Sequence, residues 1–200
     1  MDMVLLLYLL KGAGDVYGRT KIQKTVFLTE FALVSTARPV LPHYTFFRYY
    51  NGPFSRQLWD DCDDLTASGF LGEEDLKPTE RGDYLIELVV PELRSLTDWQ
   101  PIFATFDSQL DFCRSRNGAE LINYVYGLTI APSGAPWRRQ LIKDVAELTD
   151  LIEPHPGAPA IPDWLTDAVK NEIALTSEEL AIAVSQARAE ESELISRLTR

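Results

Sequence analysis

A turn signal inside an aromatic segment limits most strongly how this chain can fold. Residues 43–50 read His-Tyr-Thr-Phe-Phe-Arg-Tyr-Tyr, an aromatic run that is typical of a β-strand. Asn51-Gly52-Pro53 follows at once and ends the strand, because glycine adopts turn conformations freely and proline lacks the backbone N–H of a strand. Ser55 then supplies a hydroxyl that caps helices. The segment therefore predicts a strand, a tight turn and a helix in close succession.

The helix predicted after Ser55 is amphipathic. Its inward face is apolar and consists of Leu58, Trp59, Cys62, Leu65 and Thr66. Its outward face is polar and mostly acidic, and consists of Arg56, Gln57, Asp60, Asp61, Asp63 and Asp64. The helix is therefore predicted to lie across a core with its carboxylates in solvent.

The segment after this helix fits a small β-hairpin. Ser68-Gly69-Phe70-Leu71 ends the helix, and the charged stretch Gly72–Asp75 fits a hairpin turn. Thr79 then caps a further helix, which is predicted to run to Leu96 with an interruption at Pro91. A third helix followed by a hairpin and a capped helix is the order found in winged-helix domains.

Two helices are predicted before the aromatic strand. Residues 2–10 are apolar nearly all round, which indicates a buried helix that Gly12 and Gly14 end. We therefore predict a mainly α fold with a small β component. It comprises a winged-helix domain of residues 1–98 and an α-helical domain of residues 99–200.

The second helix begins with a cluster of basic residues. Thr20 and Gln23 have the spacing of a capping box, so Thr20 is predicted to be the N-cap. The later turns are apolar over most of their circumference, whereas the first turns, with Arg19, Lys21 and Lys24, are predicted to face solvent.

Beyond residue 98 the pattern is helical throughout. The predicted helices cover residues 101–115, 119–130, 136–152, 162–174 and 177–199. The third of these has an apolar stripe at steps of three and four, formed by Trp137, Leu141, Val145, Leu148 and Ile152. The proline-rich residues 154–162 predict a stiff connector. The last helix carries a heptad seam that fits either packing on its own domain, which we favour, or a homodimer.

Composition excludes several classes of protein. The chain has 200 residues, 46% of them hydrophobic and 24% charged, which is typical of a globular protein. Its longest apolar run, Met3–Leu10, is far shorter than the ~20 residues of a membrane helix, so we predict a cytoplasmic protein with no membrane partner. Cys62 and Cys113 are predicted to be reduced core thiols. With only His43 and His155 as histidines, neither a metal site nor a cofactor is predicted.

Charge is distributed unevenly along the chain. The net charge is −11, but residues 1–59 carry seven basic and three acidic side chains, a balance of +4, so the remainder totals −15. The net charge argues against a nucleic-acid partner, whereas the basic N-terminal region fits either an electrostatic contact with phosphates or a surface asymmetry without function. The candidate DNA-binding residues are Arg19, Lys21, Lys24, Arg56 and Gln57.

The acidic face of the third helix argues against standard major-groove recognition, because its aspartates would approach phosphates. Asp60, Asp61 and Asp64 are instead candidates for binding a basic protein partner. The basic residues of the second helix then either hold a phosphate or are solvated or paired with this acidic face.

Three separated segments carry a family resemblance. Tyr17–Leu28, together with Tyr50–Ser55 and Leu65–Leu71, resembles the YwgA-like group of bacterial and archaeal winged-helix proteins. The same residues are distantly similar to the Panacea antitoxin domain, which has a comparable Leu-Gln-Lys-Leu helix and Tyr-Gly-Pro turn. The resemblance covers about residues 1–90. The YwgA-like group implies no activity, whereas the Panacea domain implies toxin neutralisation or regulation through protein contacts.

No nucleophile elbow, Walker A sequence or zinc-protease motif occurs in the chain. We therefore predict a non-enzymatic regulatory protein, either a transcriptional regulator that binds double-stranded DNA or an antitoxin-like protein that binds a toxin. The alternative is an adaptor that binds a basic protein through the acidic third helix and does not bind DNA.

Overall fold

The computed structural model describes residues 2–14, 19–35, 44–132, 137–152, 161–171 and 173–174. The chain divides into two compact units, residues 1–160 and residues 161–200. In the second unit residues 163–171 are helical, as predicted. The predicted helix 177–199 with its heptad seam, most of the proline-rich connector and both histidines lie outside the described residues.

The described part of the first unit contains six α-helices and two small sheets. The helices are α1 Asp2–Gly12, α2 Arg19–Ser35, α3 Arg56–Ala67, α4 Glu80–Ser95, α5 Gln100–Arg114 and α6 Gly118–Tyr126. The strands are β1 Phe46–Tyr49, β2 Gly52–Phe54, β3 Thr129–Ile130, β4 Gln140–Leu141 and β5 Asp150–Ile152. The prediction of a mainly α fold with a small β component is confirmed.

Local capping chemistry sets several helix starts. The Ser55 hydroxyl accepts a hydrogen bond from the Leu58 backbone N–H, and Thr79 does the same for Gly82. These caps satisfy backbone donors that a helix start leaves without partners. The predicted interruption at Pro91 is wrong, because α4 continues to Ser95. Proline removes only one intrahelical hydrogen bond, and buried side chains such as Leu93 hold the final turns in place.

The aromatic segment forms the centre of a three-stranded antiparallel sheet with the order β2-β1-β5. The predicted break at Asn51-Gly52-Pro53 is a tight turn between β1 and β2, across which Tyr49 is paired with Gly52. Gly52 has a φ of +94°, a backbone conformation that favours glycine. The turn therefore depends on glycine at position 52.

The predicted helix 136–152 is wrong. This segment instead forms β4, a short 3-10 helix at Ile142–Asp144, and β5, which pairs with β1. Its helical stripe is not a buried face, because Trp137 is 82% exposed and Leu148 is also exposed. Strand pairing with β1 and burial of Ile142 and Leu151 outweigh the local periodicity.

The helices of the first unit share one core. α2 packs on α5, α6 and β2, while α1 packs on α4 and α5. The largest fully buried side chains come from several of these elements and include Leu7, Phe27, Phe46, Trp99 and Phe103. The compact units do not divide at the predicted boundary between residues 98 and 99, because α5 is packed against α1 and α2.

A minimal hairpin follows α3. Leu71 and Pro78 form an isolated antiparallel bridge, and the Gly72 N–H donates to the Lys77 carbonyl at 2.8 Å. This hairpin leads directly into the Thr79 cap of α4. Across the described ranges, no helix combines the length and hydropathy needed to cross a bilayer.

Candidate binding cleft

The first turns of α2 are joined to the loop before α3 by a buried side-chain amide. Gln23 donates through Nε2 to the Ser55 carbonyl at 2.8 Å, and its Oε1 accepts from the Ser55 N–H at 2.8 Å. Both groups are buried. The predicted capping box is wrong, because α2 already begins at Arg19 and Gln23 bonds Ser55 rather than the backbone at Thr20.

Lys24 makes a second link, to the neighbouring strand β2. Its ammonium donates to the Pro53 carbonyl at 2.7 Å, and only 3% of the residue is exposed. A Cβ at Gly52 would lie 3.4 Å from Cε and 3.7 Å from Nζ, so the ammonium end lies beside the turn. Burial, with a smaller contribution from the nearby Arg48 charge, lowers the pKa of Lys24 to about 8.

The predicted solvent exposure of the first turns of α2 is therefore wrong for two of its three basic residues. Lys21 is only 6% exposed, although Arg19 at the helix start is exposed. The reason is tertiary: α5, α6 and β2 all pack on α2 and cover side chains that an isolated helix would leave in water. A DNA backbone has no direct access to a lysine buried in this way.

A cleft of about 180 Å³ lies between α2, the β1–β2 turn and α3. Its lining combines cationic, amide and aromatic side chains, and consists of Arg19, Thr20, Gln23, Lys24, Tyr49, Tyr50, Asn51, Gly52, Phe54 and Trp59. Tyr49 is 48% exposed and Tyr50 is 77% exposed, so both rings are accessible at its mouth. The Tyr126 hydroxyl donates to the Tyr50 carbonyl at 2.9 Å and so ties the turn to α6.

Arg19 marks the side of the cleft next to α3. Its guanidinium lies 4.2 Å from the centre of the Trp59 ring, and one nitrogen is 3.7 Å from an Asp63 carboxylate oxygen. Both members of this ion pair are largely exposed, so the contact is weak. The aromatic contact nevertheless orients Arg19 over the cleft wall.

The outward face of α3 is as the sequence predicts, with one exception. Arg56, Gln57, Asp60 and Asp64 are exposed. Asp61 is only partly exposed, and one of its carboxylate oxygens accepts a hydrogen bond of 2.9 Å from the Tyr44 hydroxyl. Asp61 therefore also links α3 to the segment before β1.

Titratable groups near α3 reflect its burial against the core. Burial and the neighbouring Asp61 charge raise the pKa of Tyr44, which keeps its hydroxyl protonated. Burial also raises the pKa of the Cys62 thiol to about 12, so Cys62 is an unreactive core residue. Among the described residues Cys62 and Cys113 are free and buried, as predicted. No group of three His, Cys, Asp or Glu side chains in this part of the chain has the proximity of a metal site.

The structure brings Arg19 and Lys24 together at the cleft and leaves Arg56, Gln57, Asp60 and Asp64 on the neighbouring face of α3. Sequence reasoning missed Tyr49, Tyr50, Asn51 and Trp59 as possible binding residues. A signal was present, because Tyr49, Tyr50 and Asn51 adjoin the turn that interrupts the aromatic strand. No family model, no curated protein and no solved structure matches this chain.

Proposed function

We propose that this chain is a non-enzymatic regulatory protein that binds another protein at the cleft between α2, the β1–β2 turn and α3. In this proposal α1 to α3 and the hairpin that follows form a winged-helix-like module. The antiparallel bridge between Leu71 and Pro78 supports that description, because it stands where a wing follows a third helix.

The observation that carries the proposal is the exposure of Tyr49 and Tyr50 beside Arg19 and Trp59. Tyrosine, tryptophan and arginine are the residues most enriched at the energetic centres of protein interfaces. Here the tyrosines stand on a fixed frame, because Gln23 and Lys24 anchor the loop beneath them. Side chains held in place lose less conformational freedom on binding.

The size of the cleft favours a protein anchor over a whole cofactor. Pockets for drug-sized ligands and cofactors commonly measure roughly 300–1,000 Å³. A cleft of about 180 Å³ suits one side chain or one chain end. The remainder of such a partner would lie across the exposed surface of α3.

An antitoxin-like role is the form of this function that we favour. The sequence resemblance to the Panacea domain implies regulation through protein contacts. The exposed Asp60, Asp63 and Asp64 add a negative surface beside the cleft, which complements a basic partner and speeds its association. The partner is then a protein with a basic surface and one projecting anchor group.

Duplex DNA is the second candidate ligand. The exposed Arg19, Arg56 and Gln57 favour it, since these side chains can contact phosphates and base edges. Burial of Lys21 disfavours one of the five predicted contacts, and Lys24 lies at the floor of the cleft rather than on the open surface. A gel-shift titration at low salt tests this candidate, and Arg56→Glu would abolish a shift that depends on α3.

The principal experiment is affinity capture from a lysate of the cells that make the protein. Three forms of the full chain are compared: the unaltered protein, Tyr50→Ala, and Trp137→Ala as a matched control at another exposed aromatic residue. We expect a protein that the unaltered chain and Trp137→Ala retain and Tyr50→Ala loses. Mass spectrometry identifies it.

The proposal is contradicted if every captured protein is retained equally by the three forms. A cleft-independent gel shift that Arg56→Glu abolishes would then establish the DNA candidate in its place. Circular dichroism of each variant separates loss of binding from loss of folding.

A further inference from the structure

Resting on the proposed function, we infer that the cleft holds a carboxylate carried on an apolar stem, supplied by the partner as an acidic side chain or as its C-terminus. The cation that receives it is Lys24, and the walls that pack on the stem are the aromatic rings of the cleft. The anchor group of the partner, which the proposed function alone leaves open, is thus an anion on an apolar stem.

Lys24 retains hydrogen-bonding capacity for a ligand. A lysine ammonium has three N–H donors, and the Pro53 carbonyl is its hydrogen-bond partner among the described residues. The residue also lines the cleft, although only 3% of it is exposed, so it lies at the floor. A carboxylate that reaches this floor is removed from water, and a charge-assisted hydrogen bond is stronger there.

No acidic side chain forms an ion pair with Lys24 within the described ranges, where the charged group acting on it is Arg48 of β1. Arg48 adds positive charge, and its Nη1 is buried without a hydrogen-bond partner. The floor of the cleft is thus electropositive. An entering anion relieves this repulsion, whereas an entering cation increases it.

The walls above Lys24 are aromatic. The rings of Tyr49 and Phe54 have centroids 5.4 Å apart, and both residues line the cleft with Tyr50 and Trp59. Such walls bury methylene groups favourably but offer few donors. A ligand therefore needs an apolar stem that packs between the aromatic rings and one anionic group at the end of that stem.

A carboxylate fits this floor better than a phosphate does. Phosphate recognition commonly uses several donors and bidentate arginine contacts. Arg19, the arginine that lines the cleft, already stacks on Trp59 and lies near Asp63. Gln23 is also committed, since both ends of its amide bond Ser55. One lysine matches one negative charge.

The test uses short peptides as probes and NMR of the unaltered full chain. The first probe is acetyl-Ala-Phe-Glu-Phe-Ala-amide, and its control replaces Glu by Gln. The second probe is acetyl-Ala-Phe-Ala with a free C-terminal carboxylate, and its control is the C-terminal amide. Chemical shifts of the Lys24 side chain and of the Tyr50 ring are followed in ¹³C-labelled protein.

We expect at least one acidic probe to bind tenfold more tightly than its neutral control and to shift the Lys24 Cε signal. The bound anion also raises the pKa of Lys24 above its free value of about 8. The probe that does so distinguishes a side-chain carboxylate from a chain terminus. Lys24→Met, if it folds, removes the preference for the acidic probe.

Equal binding of acidic and neutral probes overturns the carboxylate assignment while leaving the cleft as a protein-binding site. Absence of binding by all four probes overturns it as well. Neither result bears on the capture experiment. That experiment fails when Tyr50→Ala retains the captured proteins as well as the unaltered chain does. The two proposals therefore fail in distinguishable ways.

Discussion

The side chain of Gln23 bonds the backbone of Ser55 through both ends of its amide, at 2.8 Å in each direction. The Gln23 side chain of α2 thereby satisfies the backbone N–H and C=O of Ser55, between β2 and α3, as a neighbouring strand would. Because Ser55 also caps α3, this contact joins the cleft-lining helix, the turn and the acidic helix in one hydrogen-bonded unit.

We predict that Gln23→Ala destabilises the fold by about 3 kcal/mol, because it leaves the buried N–H and C=O of Ser55 without partners. Urea unfolding followed by circular dichroism measures the change in the free energy of unfolding. Gln100→Ala, at an exposed glutamine of α5, is the control and is expected to change it by less than about 0.5 kcal/mol. Equal effects of the two substitutions would contradict the role assigned to Gln23.

The lowered pKa of Lys24 predicts a specific pH dependence. Between about pH 8 and its ordinary value of 10.5 the unfolded chain holds a proton on Lys24 that the folded chain has released. The stability of the unaltered protein relative to Lys24→Met therefore increases as the pH rises through this window, by about 3 kcal/mol in all. Urea unfolding of both proteins at pH 7 and pH 10 gives this difference, and a difference that is independent of pH contradicts the prediction.

Gly82 lies where the hairpin after α3 meets the first turn of α4. A Cβ there would overlap the Phe70 backbone carbonyl, so Gly82→Ala requires the hairpin to move. We predict destabilisation by about 3 kcal/mol. Gly118→Ala is the matched control, since its Cβ would make ordinary contacts of 3.8 Å and 3.9 Å with Thr20, and it is predicted to be neutral or slightly stabilising. Thermal unfolding of the two variants provides the comparison.

A hydrogen-bonded cluster of three partly buried side chains joins three helices away from the cleft. Arg94 of α4 donates to both carboxylate oxygens of Asp107 on α5, at 2.7 Å and 2.9 Å, and the Tyr8 hydroxyl of α1 donates to the same carboxylate. Burial raises the pKa of Asp107, but the hydrogen bonds from Arg94 and Tyr8 together lower it by more. The pKa of Asp107 therefore lies below the ordinary 3.8. The stabilisation is therefore present above pH 3.8 and is lost as the pH falls below it.

A double-mutant cycle with Tyr8→Phe and Asp107→Asn tests this contact. We predict a coupling free energy of about 1 kcal/mol at pH 7, which is modest because Arg94 and Asp107 remain partly exposed. The coupling decreases in acid as Asp107 is protonated. Additive effects at pH 7 would show that Tyr8 and Asp107 act independently.

Sequence reasoning predicted those features that depend on local chemistry. The Ser55 and Thr79 caps, the turn at Gly52 and the amphipathic α3 follow from residues close together in the chain, and the structure has all four. The prediction of a helix for residues 136–152 was wrong because the strand that forms there instead is stabilised by residues distant in the sequence. β5 pairs with β1 about 100 residues earlier, and apolar periodicity within a segment cannot reveal that pairing.

The cleft could be predicted only in part for the same reason. Arg19 and Lys24 were identified as a cluster from their spacing, but burial of Lys24 depends on α6 and β2, which pack onto α2 from distant parts of the chain. Tyr50 lies in the β1–β2 turn and Trp59 in α3, and they line one cleft only in the folded protein. Their residue types carry no ligand motif, so their common surface emerges from tertiary structure.

The most direct measurement is the affinity of the captured partner for the purified full chain, by isothermal titration calorimetry. We predict that Tyr50→Ala raises the Kd at least tenfold, because loss of an interface anchor commonly weakens binding by more than about 1 kcal/mol. Trp137→Ala is predicted to leave the Kd within twofold. An unchanged Kd for Tyr50→Ala, in a protein that folds normally, would contradict the assignment of the cleft as the binding site.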